Sequence, residues 1–425
     1  MTCDPPVLTY HDSMATDVAE LDARDPLANF AKEFYRPTGQ IYLDGNSLGL
    51  LCKPAEKALQ EAIESWKTRA ILGWTDGESP WFTLSRRVAK SLAPILGAEP
   101  EDVMLGESTT VNLHQLLATF HDGKSAILID EWCFPSDRYA IESHLRLRGQ
   151  DPKQDLIVVP DSDAVIDELS IIDAMGSHVG FAVLPAVAYR TGQNLDIRYL
   201  TSEARKAGVL VAWDCSHSAG VVPHQFRQDD IDLAFGCTYK YLNGGPGSVG
   251  WLYVQPKLRE RKPGLVGWFG SDPVRQFEMS PNFHEAPDAG RFMIGTPHVL
   301  SLAPLLGSLE LIGRAGMNAI REKSLSMTNY LTRELTRLGL AEETPESTDH
   351  RGGHVTFSHP EAARLSLALR QRGVIVDHRP PDLVRLAPSP LYTSFQECET
   401  AIATLDEILR TDAHLQIGAS HALVT

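Results

Sequence analysis

Two residues in this sequence combine reactive side chains with positions at the ends of apolar runs. In Val209-Leu-Val-Ala-Trp-Asp214-Cys-Ser-His217-Ser-Ala-Gly220 a strand-like run ends in an acid, and a loop of small residues follows. In Ile231-Asp-Leu-Ala-Phe-Gly-Cys-Thr-Tyr239-Lys240-Tyr241-Leu-Asn-Gly-Gly-Pro-Gly247 a similar run leads into a lysine flanked by two tyrosines, ahead of a glycine-rich loop. A partly desolvated amine has a lowered pKa and suits nucleophilic and Schiff-base chemistry. A carboxylate at a desolvated strand end must be paired. Each has a structural alternative: a snorkelling lysine, and a helix cap or internal ion pair for the acid. His217 by itself reads as a packed or hydrogen-bonded structural residue. Together, an acid ending one strand and a lysine ending the next suit the two ends of one aromatic aldehyde. Pyridoxal 5'-phosphate (PLP) takes a lysine Schiff base and an anionic partner for its pyridinium nitrogen.

A phosphate site should accompany such a pair. Gly106-Glu-Ser108-Thr109-Thr110-Val-Asn-Leu-His-Gln-Leu-Leu-Ala-Thr-Phe120 places hydroxyl residues before a helix whose Leu113, Leu116, Leu117 and Phe120 share a face. Free N–H groups and the dipole at a helix start bind anions, although an ordinary Ser/Thr cap fits the same pattern. In Trp132-Cys-Phe134-Pro135-Ser136-Asp137, Phe134 follows a strand-like run and could stack on a planar ring. The alternatives are a core position for Phe134 and a helix cap for Asp137. Arg385, in the apolar run Asp382-Leu-Val-Arg385-Leu-Ala-Pro-Ser-Pro, needs a carboxylate, which an amino-acid substrate or an internal salt bridge would supply.

The elements that must position these residues are legible as alternation. Apolar runs rich in β-branched residues at 126–129, 156–159, 179–184, 209–213, 233–236 and 249–254 alternate with helix-compatible stretches such as 138–147 and 201–207. That pattern predicts an α/β fold with an open, mostly parallel sheet, whose ligands sit beyond the carboxyl ends of the strands. Beyond about Leu300, long amphipathic stretches surround three strand-like pieces near His354, Val374 and Val384, the texture of a smaller α+β domain. The expected division is an N-terminal segment (1–70) that joins the small domain and the active-site entrance, a large domain (71–305) and a small domain (306–425). A helix near 55–70 has Leu59, Ala62, Ile63 and Trp66 on one face and could join either body.

The whole chain of 425 residues, 43% hydrophobic and 22% charged, has globular composition and length for two domains. Its formal charge of −16 disfavours nucleic acid and anionic membranes as partners. Six cysteines without CxxC spacing argue against a metal framework and fit a reducing cytoplasm. Residues 1–15 lack the basic and apolar regions of a signal peptide, and no apolar run reaches membrane-spanning length.

A rival motif is Gly45-Asn-Ser47-Leu-Gly49, which matches the G-x-S-x-G nucleophile elbow of serine hydrolases, with Asp214 and His217 as partners. Against it stand only about forty preceding residues, Pro54 as an interruption of any helix, and the awkward three-residue spacing of Asp214 and His217. A non-enzymatic binding protein on the same fold is a second rival. Both rivals predict a colourless protein, whereas a PLP Schiff base absorbs visible light.

Nearly the whole chain resembles the kynureninases, fold-type I PLP-dependent transferase-like enzymes. The resemblance runs from Leu43-Asp-Gly-Asn-Ser-Leu-Gly-Leu50 through Thr110-Val-Asn-Leu-His114, Phe134-Pro-Ser-Asp137, Tyr189-Arg-Thr-Gly192, Trp213-Asp-Cys-Ser-His-Ser-Ala-Gly220, Cys237-Thr-Tyr-Lys-Tyr-Leu-Asn-Gly-Gly-Pro-Gly247, Gly267-Trp-Phe-Gly270 and Pro390-Leu-Tyr392. It implies that Lys240 carries PLP, Asp214 pairs with the pyridinium, Phe134 stacks on the ring, and His217 and Asp137 lie beside the cofactor. Thr109, Thr110 and Tyr239 would hold the phosphate. Trp268 and Thr296 would reach the site of the neighbouring subunit, making a homodimer a condition of activity. Arg385 would take the substrate carboxylate, with Asn46, Ser47 and Trp74 near the substrate. Two departures stand out: Pro185 where relatives often have a hydroxyl residue, and Cys215-Ser216 in place of a common Leu-Ala pair.

The resemblance implies hydrolysis of the Cβ–Cγ bond of L-kynurenine to anthranilate and L-alanine, in tryptophan degradation. Lys240 would be the base at Cα and Tyr239 the source of the proton that returns to Cβ. Trp74 and Thr296, where relatives that favour 3-hydroxykynurenine carry His and Asn, lean toward the unsubstituted substrate. The nearest alternative, a cysteine desulfurase or class V aminotransferase, shares the lysine and aspartate. A desulfurase needs a mobile cysteine, and neither Cys52 nor Cys398 lies in a convincing glycine- or serine-rich loop.

Overall fold

The computed structural model describes residues 17–161 and 165–418. The reading of residues 1–15 as lacking a signal peptide, and Cys3, lie outside the described residues. The central sheet has seven strands in the order Val103–Leu105, Gly250–Val254, Leu233–Cys237, Leu210–Asp214, Val179–Pro185, Ala126–Asp130, Leu156–Val159. The last five pair in parallel, and the first two run antiparallel at one edge. Six strands fall where the apolar runs placed them. Val103–Leu105 escapes the sequence pattern because three residues are too few to show a period.

Parallel strands covered on both faces need apolar residues throughout, and Ala126–Asp130 and Leu233–Cys237 are buried at every position, as is the antiparallel Gly250–Val254 beside them. The helix Thr109–Phe120 starts as its sequence predicts: Ser108 caps it by accepting a hydrogen bond from Val111 N–H at 3.3 Å. Leu113, Leu116, Leu117 and Phe120 are all buried. The strand beneath this start tolerates no side chain at Gly250, where a Cβ would lie 2.8 Å from Thr109 N. The Gln115 amide fastens the helix to a distant loop, donating to Leu265 O and Phe292 O at 2.8 and 2.9 Å and accepting from Leu265 N–H.

The later part of the chain forms a four-stranded antiparallel sheet in the order Asp377–Arg379, Leu383–Leu386, Val355–Ser358, Ala341–Glu342. Helices Met317–Arg337, Ala362–Gln371 and Phe395–Arg410 supply its core. Val18, Leu21 and Leu43 pack into that same core, and Ile41–Tyr42 pairs in parallel with Val374–Ile375. The helix Val299–Ala315 crosses the expected boundary at residue 305, and its Leu302, Leu305, Leu309 and Ile312 pack with the larger core.

Two local expectations are corrected. Pro54 does not interrupt a helix: it sits in the first turn of Lys53–Arg69, where its missing N–H costs nothing. That helix packs on Val299–Ala315 through Ala55 and Ala62, while Ile63 and Trp66 of the expected apolar face are exposed. The helices meet closely because residue 307 is glycine, where a Cβ would lie 2.2 Å from Pro54 C and O. Among the described residues no single helix is long and apolar enough to cross a membrane.

Beneath the phosphate-side helices, two buried imidazoles meet: His121 Nδ1 lies 3.0 Å from His144 Nε2, and His121 Nε2 lies 2.9 Å from Ser125 O. Burial, then the neighbouring His121, lowers the His144 pKa to about 4. A histidine depressed in the folded state contributes stability that is complete above its unfolded pKa, about 6.5, and is lost as pH falls toward the folded value. Thermal unfolding should therefore show a midpoint that falls between pH 6.5 and 4, with a shallower slope in His144→Gln; equal slopes would exclude the pair as a cause. Gly307→Ala should lower the urea midpoint by the equivalent of about 1–3 kcal/mol, the range for overpacking.

Candidate active site

The carboxyl ends of the parallel strands open into a cleft of about 820 Å³. Thr109, Thr110, Phe134, Asp137, Asp214, His217, Tyr239 and Lys240 all line it, so eight residues scattered over 132 positions of sequence converge on one wall-to-wall site. Lys240 stands three residues past its strand, and Nζ lies 2.9 Å from His217 Nε2. Nζ is also 5.9 Å from the ring centroids of both Phe134 and Tyr239. Asp214 ends its strand and accepts from Ser216 N–H at 2.9 Å, which aims the carboxylate across the loop.

Phe134 is 43% exposed and meets Tyr189 edge-on at 5.3 Å, so the core alternative for this ring does not hold. The cap alternative for Asp137 does not hold either. Asp137 lies inside the helix Pro135–Leu147, and its carboxyl is buried against the cleft. Burial, then Asp214, pushes it well above the carboxylate range. Burial, then Asp161, raises Asp130 to about 7. Burial, then Lys240, holds His217 well below the ordinary imidazole range, so the ring is neutral beside the lysine. Burial, then Cys237, raises the Tyr239 phenol, which keeps its proton.

Arg385, Asn46 and Ser47 form an adjoining cluster. Arg385 is 1% exposed; Nε donates to Asp377 Oδ1 at 2.7 Å, Nη2 to Asp377 Oδ2, and Nη1 to Tyr189 O at 2.6 Å. The internal salt bridge weighed from sequence is thus present, and the carboxylate-binding alternative needs donors that this pair leaves free. Ser47 Oγ donates to Asp377 Oδ2 at 2.9 Å, and Arg379 Nη2 approaches the same oxygen at 2.9 Å. Burial raises Asp377, but hydrogen bonds and charge from Arg385 outweigh it and leave the acid lowered. Burial, then Asp377, lifts Asp44 to about 7. Asn46 is 1% exposed, and neither amide atom has a partner among the described residues.

Asp377 and Arg379 were not singled out from sequence. A signal existed: Asp377 and Arg385 flank Pro380-Pro381 and face each other across an antiparallel pair, the geometry of opposite charges on a hairpin. Trp74, Trp268 and Thr296 do not line the cleft of their own chain. Trp74 and Trp268 both pack on Phe269, at 5.9 and 5.4 Å, and Thr296 is exposed.

Ser47 fails as a hydrolase nucleophile. It lies in a turn beside a two-residue strand, its hydroxyl is bonded to Asp377, and His217 is bonded to Lys240 instead.

The donor set fits PLP. A primary amine, a carboxylate at a neighbouring strand end and the N-terminus of a twelve-residue helix share one cleft, with an aromatic ring exposed in it. Those are the partners of an aldehyde, a pyridinium nitrogen, a phosphate and a planar ring.

Comparison with known proteins agrees. Residues 320–405 match the family model described as "Kynureninase C-terminal domain". The chain is 49% identical over 413 residues to "Kynureninase" of Geobacillus thermodenitrificans, covering 95% of this chain and 96% of the relative. It is 46% identical over the same length to "Kynureninase" of Bacillus cereus, strain ZK / E33L. Among solved structures, a C-DES mutant with glycine covalently linked to the PLP cofactor superposes with a TM-score of 0.77 at 19% identity, over 87% of this chain and 97% of that one. The apo cysteine desulfurase of Thermococcus onnurineus gives 0.76 at 18% identity, over 94% and 100%. These distant structures share the fold, and the near-half identity along almost the full sequence carries the rest: the chain belongs to the kynureninase family.

Proposed function

We propose that this protein is a PLP-dependent hydrolase that cleaves the Cβ–Cγ bond of L-kynurenine, giving anthranilate and L-alanine. The single observation that carries the reading is the Lys240–His217 contact in the same cleft as Asp214 and the start of the helix Thr109–Phe120. Bound PLP supplies an electron sink that stabilises carbanions next to the substrate nitrogen. In this reading Asp214 holds the pyridinium nitrogen, Thr109, Thr110 and Tyr239 hold the phosphate, and Phe134, Asp137 and His217 fix the ring. Arg385, kept rigid by Asp377, Ser47 Oγ and Tyr189 O, orients the substrate carboxylate with the one Nη1 hydrogen those bonds leave free, and Asn46 and Ser47 complete that end. Lys240 takes the proton from Cα, and Tyr239, which keeps its phenolic proton, delivers one to Cβ.

The organisation that goes with this reading has three parts: an N-terminal segment up to about residue 70 at the small domain and the entrance, a large domain from 71 whose end moves from 305 to the close of the helix Val299–Ala315, and a small domain beyond it. We further propose a cytoplasmic homodimer. Exposed Trp268, Val274, Phe277 and Met279 give the segment around Trp268 an apolar surface that a second copy would cover. Trp268 and Thr296 would then complete the partner's site, and Trp74 the substrate ring pocket, with preference for the unsubstituted ring. A desulfurase reading is disfavoured because Cys52, Cys133, Cys215, Cys237 and Cys398 are all buried, with no mobile thiol among the described residues.

Protein reconstituted with PLP and given L-kynurenine should release anthranilate and alanine in equal amounts; release of neither sinks the substrate assignment. Lys240→Ala should lose the visible absorption band and at least about 10²-fold in kcat. Arg385→Gln should raise KM roughly ten- to a hundredfold, the range for hydrogen bonds to a charged group, while keeping the band.

A further inference from the structure

Behind the Lys240–His217 contact lies a second imidazole that none of these roles uses. His354 immediately precedes the strand Val355–Ser358 and is fully buried, and neither ring nitrogen has a hydrogen-bond partner among the described residues. His217 Nδ1 is likewise buried and without one, although Nε2 of the same ring meets Lys240. The two rings are neighbours, with centroids 5.6 Å apart and planes tilted by 57°. Orphaned polar atoms are rare in protein interiors, and three of them sit here on adjoining rings.

The groups that face the pair are Lys240, Arg385, Arg379, Asp377 and the Tyr189 ring, whose centroid lies 6.5 Å from that of His217. Burial, then Arg385, lowers the His354 pKa to about 3, and His217 is depressed in the same way by burial and Lys240. Both rings are therefore neutral near pH 7, each with one N–H and one lone pair. The Tyr189 carbonyl stands beside His354 without closing a hydrogen bond of ordinary geometry, and a carbonyl only accepts. A ring that turns its N–H toward this carbonyl offers its other nitrogen as an acceptor. His217 then donates from Nδ1, directly or through one water, and its Nε2 is left to accept from Lys240.

We infer that His354 is a positioning residue of the reaction: it fixes the tautomer of His217, which in turn holds a hydrogen of the Lys240 amine and leaves the amine's lone pair facing the proton at Cα. This rests on Lys240 being the base in the proposed reaction. The polarity runs one way, from lysine to His217 to His354 to a carbonyl, so replacing His354 by an apolar side chain removes the acceptor that fixes it.

The test uses the PLP-loaded enzyme and three readouts: the pH titration of its visible band, kcat and KM for L-kynurenine, and the melting temperature. His354→Leu should melt near the wild type and retain its PLP. Its kcat should fall about tenfold, with KM changed less than threefold and the band titration moved by about half a pH unit or more. His354→Gln, which keeps a donor and an acceptor, should recover most of the loss. A folded His354→Leu with unchanged kcat and titration overturns the inference, and so does a Gln variant as impaired as Leu. If His354→Leu does not fold, a crystal structure of the wild-type holoenzyme decides. A nitrogen of His354, or one bridging water, within about 3.2 Å of His217 Nδ1 is expected, and no such contact overturns the inference. A native protein without a visible band overturns the reading of Lys240 and the inference with it, whereas a native band with an unmoved profile in His354→Leu overturns the inference alone.

Discussion

Parallel pairing of Leu210–Asp214 with Leu233–Cys237, in the register Asp214↔Phe235, brings an acid and a lysine to one edge of the sheet although 26 positions separate them. Parallel strands need crossover connections, so their carboxyl ends gather on one side and their loops share one space. The rest of the cleft follows from that arrangement. Asp130 ends the next parallel strand but one, Phe134 and Asp137 follow it into a helix, and the helix at Thr109 points its free N–H groups inward from the antiparallel edge. A slip of one residue in the Asp214 register would turn its carboxylate to the opposite face of the sheet.

The second constraint is electrostatic. Asp377 is a buried carboxylate between two guanidiniums, the buried Arg385 and the partly exposed Arg379, and removing Asp377 would leave the buried Arg385 charge without compensation. The arrangement holds Arg385 in one orientation before any ligand arrives, so little rotamer freedom remains to be lost on binding. It also joins the two sheets, because Arg385 Nη1 donates to Tyr189 O in the loop after the strand Val179–Pro185.

Much of this was legible in the sequence, because the relevant signals are local. Apolar runs bounded by turns gave six of seven sheet strands, and the hydroxyl run followed by leucines at helical spacing gave the existence and buried face of the helix Thr109–Phe120, though Thr109 and Thr110 lie inside it rather than before it. Lys240 and Asp214 were found because a reactive side chain at the end of an apolar run is locally anomalous. The electrostatic layer was legible only as opposite charges either side of Pro380-Pro381. Asp377 and Arg379 sit in a polar hairpin that reads as ordinary solvated turn, and His354 gains meaning only from a ring 137 positions away. Pro54 misled in the other direction, since a proline marks a helix start as readily as an interruption. Trp66 and Ile63 showed the right period for an apolar face, yet a single chain leaves them exposed.

Gln115 carries one further consequence. Its single amide bonds the backbone of Leu265 at both N–H and C=O, and also Phe292 O, so the segment bearing Trp268 is latched to the interior of the helix whose first turn faces the cleft. Whatever coupling this latch carries between the segment and the helix start acts in both directions. By reciprocity of linked equilibria, the free energy by which an occupied cleft steadies the outer surface equals that by which a steadied outer surface tightens the cleft. Anion capture and surface association would then be two readings of one coupled equilibrium.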